Sequence, residues 1–326
     1  MNTRRMLLKA LAFASLIALP VTALPAAAAD LETVRIGVDP YTTGAQVWIA
    51  KDKGFFEENG IDPDITVYAT GIESLDSVLT GRTDFGVGLD FPTALRMQSG
   101  QLTILGAVFN STPGWHKLVV NDKIKGPDDL AGKRYGIASG TAQHLVTVKY
   151  LENHGVSEDE VTLVPFSSLV EIVASLKAGR LDGAFVWADG VKQSTDSGLT
   201  ILADDSEAAL NQRAYVSVNT RYAEKNPDAV VKVLKALEEA TAFLSANLEA
   251  SAEIIAANTK APVDTTLRLL KLNQFKLSLA DEDRTSFATI ADFASGVLKT
   301  PITFDTAVDP HYLEEAVPGS VTLSAQ

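Results

Sequence analysis

Two segments of this chain repeat one another. Gly81-Arg82-Thr83-Asp84-Phe85-Gly86-Val87 is echoed 98 residues later by Gly179-Arg180-Leu181-Asp182-Gly183-Ala184-Phe185. Upstream, Phe56-Glu57-Glu58-Asn59-Gly60-Ile61 is echoed at an offset of 95 by Leu151-Glu152-Asn153-His154-Gly155-Val156. Arg35-Ile36-Gly37-Val38 stands to the first copy as Arg134-Tyr135-Gly136-Ile137 stands to the second. Three echoes in nearly constant register point to a duplicated structural unit. The competing explanation is that αβ units share a common grammar, with glycine closing helices and aspartate opening turns.

The hydrophobic pattern gives each copy the same element order. Copy one reads strand Val34–Val38, helix Ala45–Asn59, strand Asp64–Tyr68, helix Ser74–Leu79 and strand Asp84–Gly88. Copy two reads strand Lys133–Ile137, helix Ala142–His154, strand Val161–Pro165, helix Val170–Ala178 and strand Asp182–Trp187. Strands alternating with helices of this length predict parallel sheets with right-handed crossovers. Apolar runs at 117–120 and 214–218 flank the second copy and read as strands that leave and re-enter the first lobe. The remainder is helical: Pro227–Asn247 is amphipathic, and helices are expected around Ser251–Asn258, Thr265–Asn273 (started by Pro262) and Arg284–Leu298. The expected fold is therefore α/β and two-lobed, each lobe a parallel-type sheet flanked by helices, with two crossover strands between them. Residues 30–117 and 219–326 would form lobe one, and 118–218 an inserted lobe two.

The first 29 residues stand apart. Arg4, Arg5 and Lys9 precede a short apolar run and an Ala27-x-Ala29 cleavage pattern, which is the layout of an export signal. The stretch Thr3–Lys9 also resembles a twin-arginine signal, and a general secretory signal holding two arginines fits the same residues. Either reading places the mature protein in a periplasm. Removal of the segment leaves 25 cations against 41 acids, a net charge of −16. That balance argues against nucleic acid as a partner. With no cysteine, the chain has no disulfide framework, thiolate metal site or cysteine nucleophile.

In open parallel sheets, ligands bind beyond the carboxyl ends of the strands. The repeat names six such loops: Asp39–Gly44, Thr70–Ile72, Leu89–Phe91, Ala138–Thr141, Phe166–Ser168 and Trp187–Asp189. Ala138-Ser139-Gly140-Thr141-Ala142-Gln143-His144 is the most informative. Gly140 allows close backbone approach, Thr141 is placed to cap a helix, and the following amides are free to meet an oxyanion. A plain capping motif explains the same residues. Tyr41-Thr42-Thr43-Gly44 opens the matching helix in the first copy. Trp187 and Tyr41 are candidate packing surfaces for an alkyl body or a cation. Asp90, with Phe91 beside it, could accept an ammonium or cap the next helix. Trp115 and His116 precede a crossover strand, where hinge packing is expected. The four histidines form no metal-ligand spacing. No phosphate loop, dinucleotide fingerprint or nucleophile elbow is present; for an exported enzyme, the best base would be His144 near Ser139, with nothing evident to orient it.

These motifs together resemble the periplasmic substrate-binding proteins of ABC importers for nitrate, sulfonates and taurine. The resemblance rests on Val34-Arg35-Ile36-Gly37, Ala50-Lys51-Asp52-Lys53-Gly54-Phe55-Phe56, Gly81–Gly86, Leu130-Ala131-Gly132-Lys133-Arg134-Tyr135-Gly136, Gly140–His144, Ala178–Trp187 and Glu224–Val230, in that order. It implies a monomeric, cofactor-free binding protein that closes around a small molecule and docks on a membrane permease. In sulfonate binders the helix start after the second-lobe glycine holds the anionic head, which maps to Gly140–Ala142. Two departures lie near that pocket: Gly-Thr-Ala-Gln-His replaces the sulfonate-type Gly-Ser-[Ser/Thr]-Ala-His, and Trp187-Ala188-Asp189 replaces Trp-Asp-Pro.

Overall fold

A computed structural model describes residues 31–208, 210–295 and 302–325. The expected export signal lies outside the described residues. The first part of the chain runs β1 (Glu32–Val38), α1 (Ala45–Lys53), α2 (Phe55–Glu58), β2 (Ile61–Val67), α3 (Gly71–Leu79), β3 (Phe85–Leu89), α4 (Asp90–Met97) and β4 (Leu102–Ser111). The middle part runs β5 (Lys117–Val120), β6 (Arg134–Ala138), α5 (Ala142–Asn153), β7 (Thr162–Phe166), α6 (Leu169–Lys177), β8 (Gly183–Val186), α7 (Gly190–Thr195) and β9 (Thr200–Asp204). The chain then returns with β10 (Arg213–Asn219), α8 (Thr220–Lys225), α9 (Pro227–Ala246), α10 (Leu248–Thr259), α11 (Val263–Leu270), β11 (Asn273–Ala280), α12 (Asp281–Ser295), α13 (Phe304–Ala307), α14 (Pro310–Ala316) and β12 (Val321–Thr322).

These strands form two sheets. One has seven strands in the order β12-β11-β4-β10-β3-β1-β2, the other five in the order β7-β6-β8-β5-β9. Within the two copies the parallel pairs are those the repeat predicts; β11 and β12 form a further parallel pair outside it. β1 pairs with β2 and β3, and β6 pairs with β7 and β8.

The repeated Gly-Arg-x-Asp motif has a physical role. Asp84 Oδ2 accepts the Arg35 N–H at 2.9 Å, and Asp182 Oδ2 accepts the Arg134 N–H at 3.0 Å. Each aspartate thus ties the start of its strand to the first strand of its copy. The helices that precede these strands also start alike. Thr70 Oγ1 accepts the Glu73 N–H while Glu73 accepts the Ala69 N–H, and Ser168 and Glu171 repeat the arrangement with Ser167. The copies diverge in their cations. The Arg35 guanidinium pairs with Asp84, whereas Asp182 takes Lys123 instead and Arg134 Nε donates to the Arg180 carbonyl.

Several expected elements differ. The helix expected at Ala45–Asn59 breaks into α1 and α2, because Gly54 sits at φ 77° and caps α1 in the left-handed region. The run at 214–218, read as re-entering the first lobe, lies as β10 antiparallel between β3 and β4 in the seven-stranded sheet, so the inserted segment drawn to 218 runs too far. The other flanking run, β5, lies in the five-stranded sheet between β8 and β9. The passage between the sheets therefore lies in the short links 112–116 and 205–212. The helix expected to reach Asn273 ends at Leu270, and β11 begins at Asn273. β4, β9 and β11 are not among the expected strands.

Candidate functional site

A cavity of about 50 Å³ opens between the carboxyl ends of the two sheets. The β1–α1 connection contributes Asp39, Tyr41 and Thr43; the β2–α3 connection contributes Thr70, Gly71 and Ile72; the end of β3 and the start of α4 contribute Leu89 and Pro92. From the second sheet come Thr141, Ala142 and Gln143 at the start of α5, and Trp187 after β8. Trp115 and His116, in the first link between the sheets, complete the wall. Five of the six loops named from the repeat therefore meet around one space. The sixth, at Phe166–Ser168, borders an adjoining groove shared with Thr70, Ile72, Ser139 and Thr141. By volume the cavity holds roughly three to five waters.

The site is built from helix starts. Gly140, at φ 75°, turns the chain so that α5 begins directly at the cavity. The Thr141 side chain does not cap α5, contrary to expectation. Its hydroxyl donates to the Ala138 carbonyl at 2.7 Å, which tightens the turn instead. The brace for this turn is Gln143: its Oε1 accepts the Ala138 N–H at 2.8 Å, and its Nε2 donates to the Gly136 and Phe185 carbonyls at 3.0 and 3.1 Å. The Gln143 side chain thus locks β6, β8 and the loop together. Among the described residues, the N–H groups of Ala142 and Gln143 donate to nothing, and neither do those of Gly71 and Ile72 at the start of α3. Two helix N-termini from opposite sheets therefore present unpaired donors and the positive ends of their dipoles to one cavity.

Aromatic rings pack beside these donors. Tyr41 and Trp187 meet edge-on at 5.9 Å, and His116 meets Trp187 at 5.7 Å. Burial, with Asp39 and Asp189 nearby, pushes the Tyr41 phenol above its ordinary value, so it stays protonated. Trp115 donates its indole N–H to Asn273 Oδ1 at 2.9 Å, which ties the link to β11.

Other candidates face elsewhere. Asp90 is buried, but its carboxylate accepts the Phe91 and Arg213 N–H groups at 2.8 and 3.1 Å and does not line the cavity. Phe91 packs against Phe293. Thr42 and Gly44 are buried under the cavity wall, at the start of α1. His144 accepts the Gly140 N–H on Nδ1 at 3.2 Å, and burial pulls its pKa down. That nitrogen is already engaged and is not free to serve Ser139 as a base. The residue the sequence reading passed over is Asp39. It is 5% exposed, lines the cavity and accepts the Tyr41 N–H at 3.2 Å, and burial pushes its pKa up to about 6. Its position two residues before Tyr41, at the carboxyl end of β1, was the available signal.

Two sheets with a cavity between their carboxyl ends, joined by two links, form the periplasmic-binding-protein fold. A family model described as NMT1/THI5 like matches residues 41–251, and the chain belongs to that family. It is 27% identical over 226 residues to the taurine-binding periplasmic protein of Escherichia coli (strain K12), covering 68% of this chain and 69% of that one. A Brucella abortus (strain 2308) relative whose name specifies no ligand is 29% identical over 249 residues, covering 74% and 76%. In structure, the chain is similar to the alkanesulfonate-binding protein SsuA from Xanthomonas axonopodis pv. citri bound to MOPS, with a TM-score of 0.74, 20% identity, and coverage of 87% of this chain and 100% of that one. That likeness speaks for the fold.

Proposed function

We propose that this protein is the periplasmic solute-binding component of an ABC importer. It captures a small organic acid, sulfonate- or taurine-like, between its two sheets and delivers it to a membrane permease. It makes and breaks no bond. The family assignment and the named binding proteins among its relatives support this reading. The observation that carries it is the pair of helix starts whose free amides face one cavity from opposite sheets. An acid group held by Ala142, Gln143, Gly71 and Ile72 completes both halves of the site only when the halves are together, so binding selects the closed form. Ser139 and Gly140 shape the approach to that position, Thr141 fixes the turn, and Tyr41 and Trp187 pack the ligand body. A substituent too long for the cavity would run into the groove beside Ser139 and Phe166. The protein acts as a monomer that presents both halves to the permease.

The test removes one donor and keeps the helix. Ala142 is the first residue of α5, where proline is tolerated, and Thr141 has the extended backbone (φ −88°, ψ 169°) that a following proline requires. Ala142→Pro should weaken binding of taurine or ethanesulfonate by about 10- to 100-fold, the effect of one charge-assisted hydrogen bond, with the melting temperature nearly unchanged. Unaltered affinity in calorimetry would reject the clamp.

A further inference from the structure

The charge of the cavity wall does not suit a simple anion. Among its lining residues there is no lysine or arginine, and the one acid is Asp39. Asp39 forms no ion pair among the described residues. Its carboxylate is held by neutral donors, the Tyr41 N–H at 3.2 Å and the Thr43 hydroxyl. Oδ2 lies against Gly71, 3.5 Å from where a Cβ on that residue would stand, so the carboxylate sits beside one of the two amide-bearing helix starts. A buried carboxylate without a cation is costly, and a ligand group that pairs with it would gain accordingly. The Tyr41 and Trp187 rings, which favour a cation over an anion on their faces, line the same cavity.

We propose that the ligand carries a cationic nitrogen close to its acid group, and that Asp39 is the residue that selects for it. This rests on the solute-binding reading above and narrows it: the amides of α3 and α5 take the acid, and Asp39 with the flanking rings takes the ammonium. Asp39 thereby discriminates against ligands that share the acid but lack the amine, because they leave its charge unpaired in a closed cavity. The alternative is that Asp39 only shapes the turn into Tyr41. Asparagine preserves that turn, since its side-chain oxygen accepts the same N–H.

Three matched pairs separate these cases by calorimetry at pH 8: taurine against ethanesulfonate, β-alanine against propionate, and 2-aminoethylphosphonate against ethylphosphonate. In whichever acid series binds, the amine-bearing member should bind about tenfold tighter or more in the wild type. In Asp39→Asn, whose melting temperature is checked alongside, that preference should fall below about threefold. Equal binding within a pair, tighter binding of the amine-free member, or a preference that survives Asp39→Asn overturns the inference. The wild-type comparison needs no variant to fold. An amine preference confined to the carboxylate or phosphonate series would refute the sulfonate reading and leave this inference standing. Failure of all six compounds to bind overturns both.

Discussion

Asp39 and Asp90 are buried carboxylates at the carboxyl ends of β1 and β3, and burial raises both to about 6 from 3.8. Only Asp39 opens on the cavity; Asp90 is spent on two backbone N–H groups. Their shared shift has a consequence for stability. Between about pH 4 and pH 6 the folded chain keeps protons that the unfolded chain has released. Stability therefore falls as pH rises through that window, by at most about 3 kcal/mol for each group. Urea unfolding should show the ligand-free protein more stable at pH 5 than at pH 7.5. Acids with lowered pKa values, such as Asp182 and Asp204, lose their contribution only below their ordinary range. His144, whose pKa burial lowers, works the other way up to its ordinary value and offsets part of the effect. The difference should shrink in an Asp39→Asn, Asp90→Asn double variant. Equal pH slopes for variant and wild type would contradict the burial account.

At the scale of elements, the duplication is held by its aspartate staples. Asp182 accepts the Arg134 N–H, the Asn121 amide and Lys123, and so joins β6, β8 and the chain after β5. Asp182→Ala strands a partly buried backbone donor and should cost about 1–2 kcal/mol in denaturant unfolding, whereas a loss below about 0.5 kcal/mol would show that the staple is incidental. These staples explain why the repeat was legible in the sequence: glycine, arginine and aspartate recur because one turn and one strand junction recur. The parallel strands and the loops at their ends followed from that register, and with them Tyr41, Thr141, Ala142 and Trp187. What the register could not give was the set of antiparallel partners. The run at 214–218 reads as a strand re-entering the first lobe, but nothing local says that, as β10, it slots antiparallel between β3 and β4. Nor does sequence tell whether an acid after a strand turns inward. Asp90 and Asp39 occupy comparable positions, and the Phe91 and Arg213 N–H groups hold the Asp90 carboxylate off the cavity.

At the scale of the molecule, the two halves meet along links that a single acid binds together. Asp205, in the second link, accepts the Gly114 and His116 N–H groups of the first, at 2.5 and 2.9 Å. His116 in turn lies in the cavity wall, with the Gln212 amide 3.0 Å from its Nδ1. The passage between the sheets therefore borders the cavity directly. The halves also touch beyond it: Gly140 faces Ile72 and Leu95, and Leu145 of α5 is buried in the core cluster of the seven-stranded sheet. In the proposed capture, the free amides of α3 and α5 would share one guest across this contact. Titration of taurine into isotopically labelled protein, followed by amide nuclear magnetic resonance, tests that claim directly. The Gly71, Ile72, Ala142 and Gln143 resonances should move downfield together and saturate at one ligand per chain. Saturable binding that leaves the α5 pair or the α3 pair unmoved would contradict it.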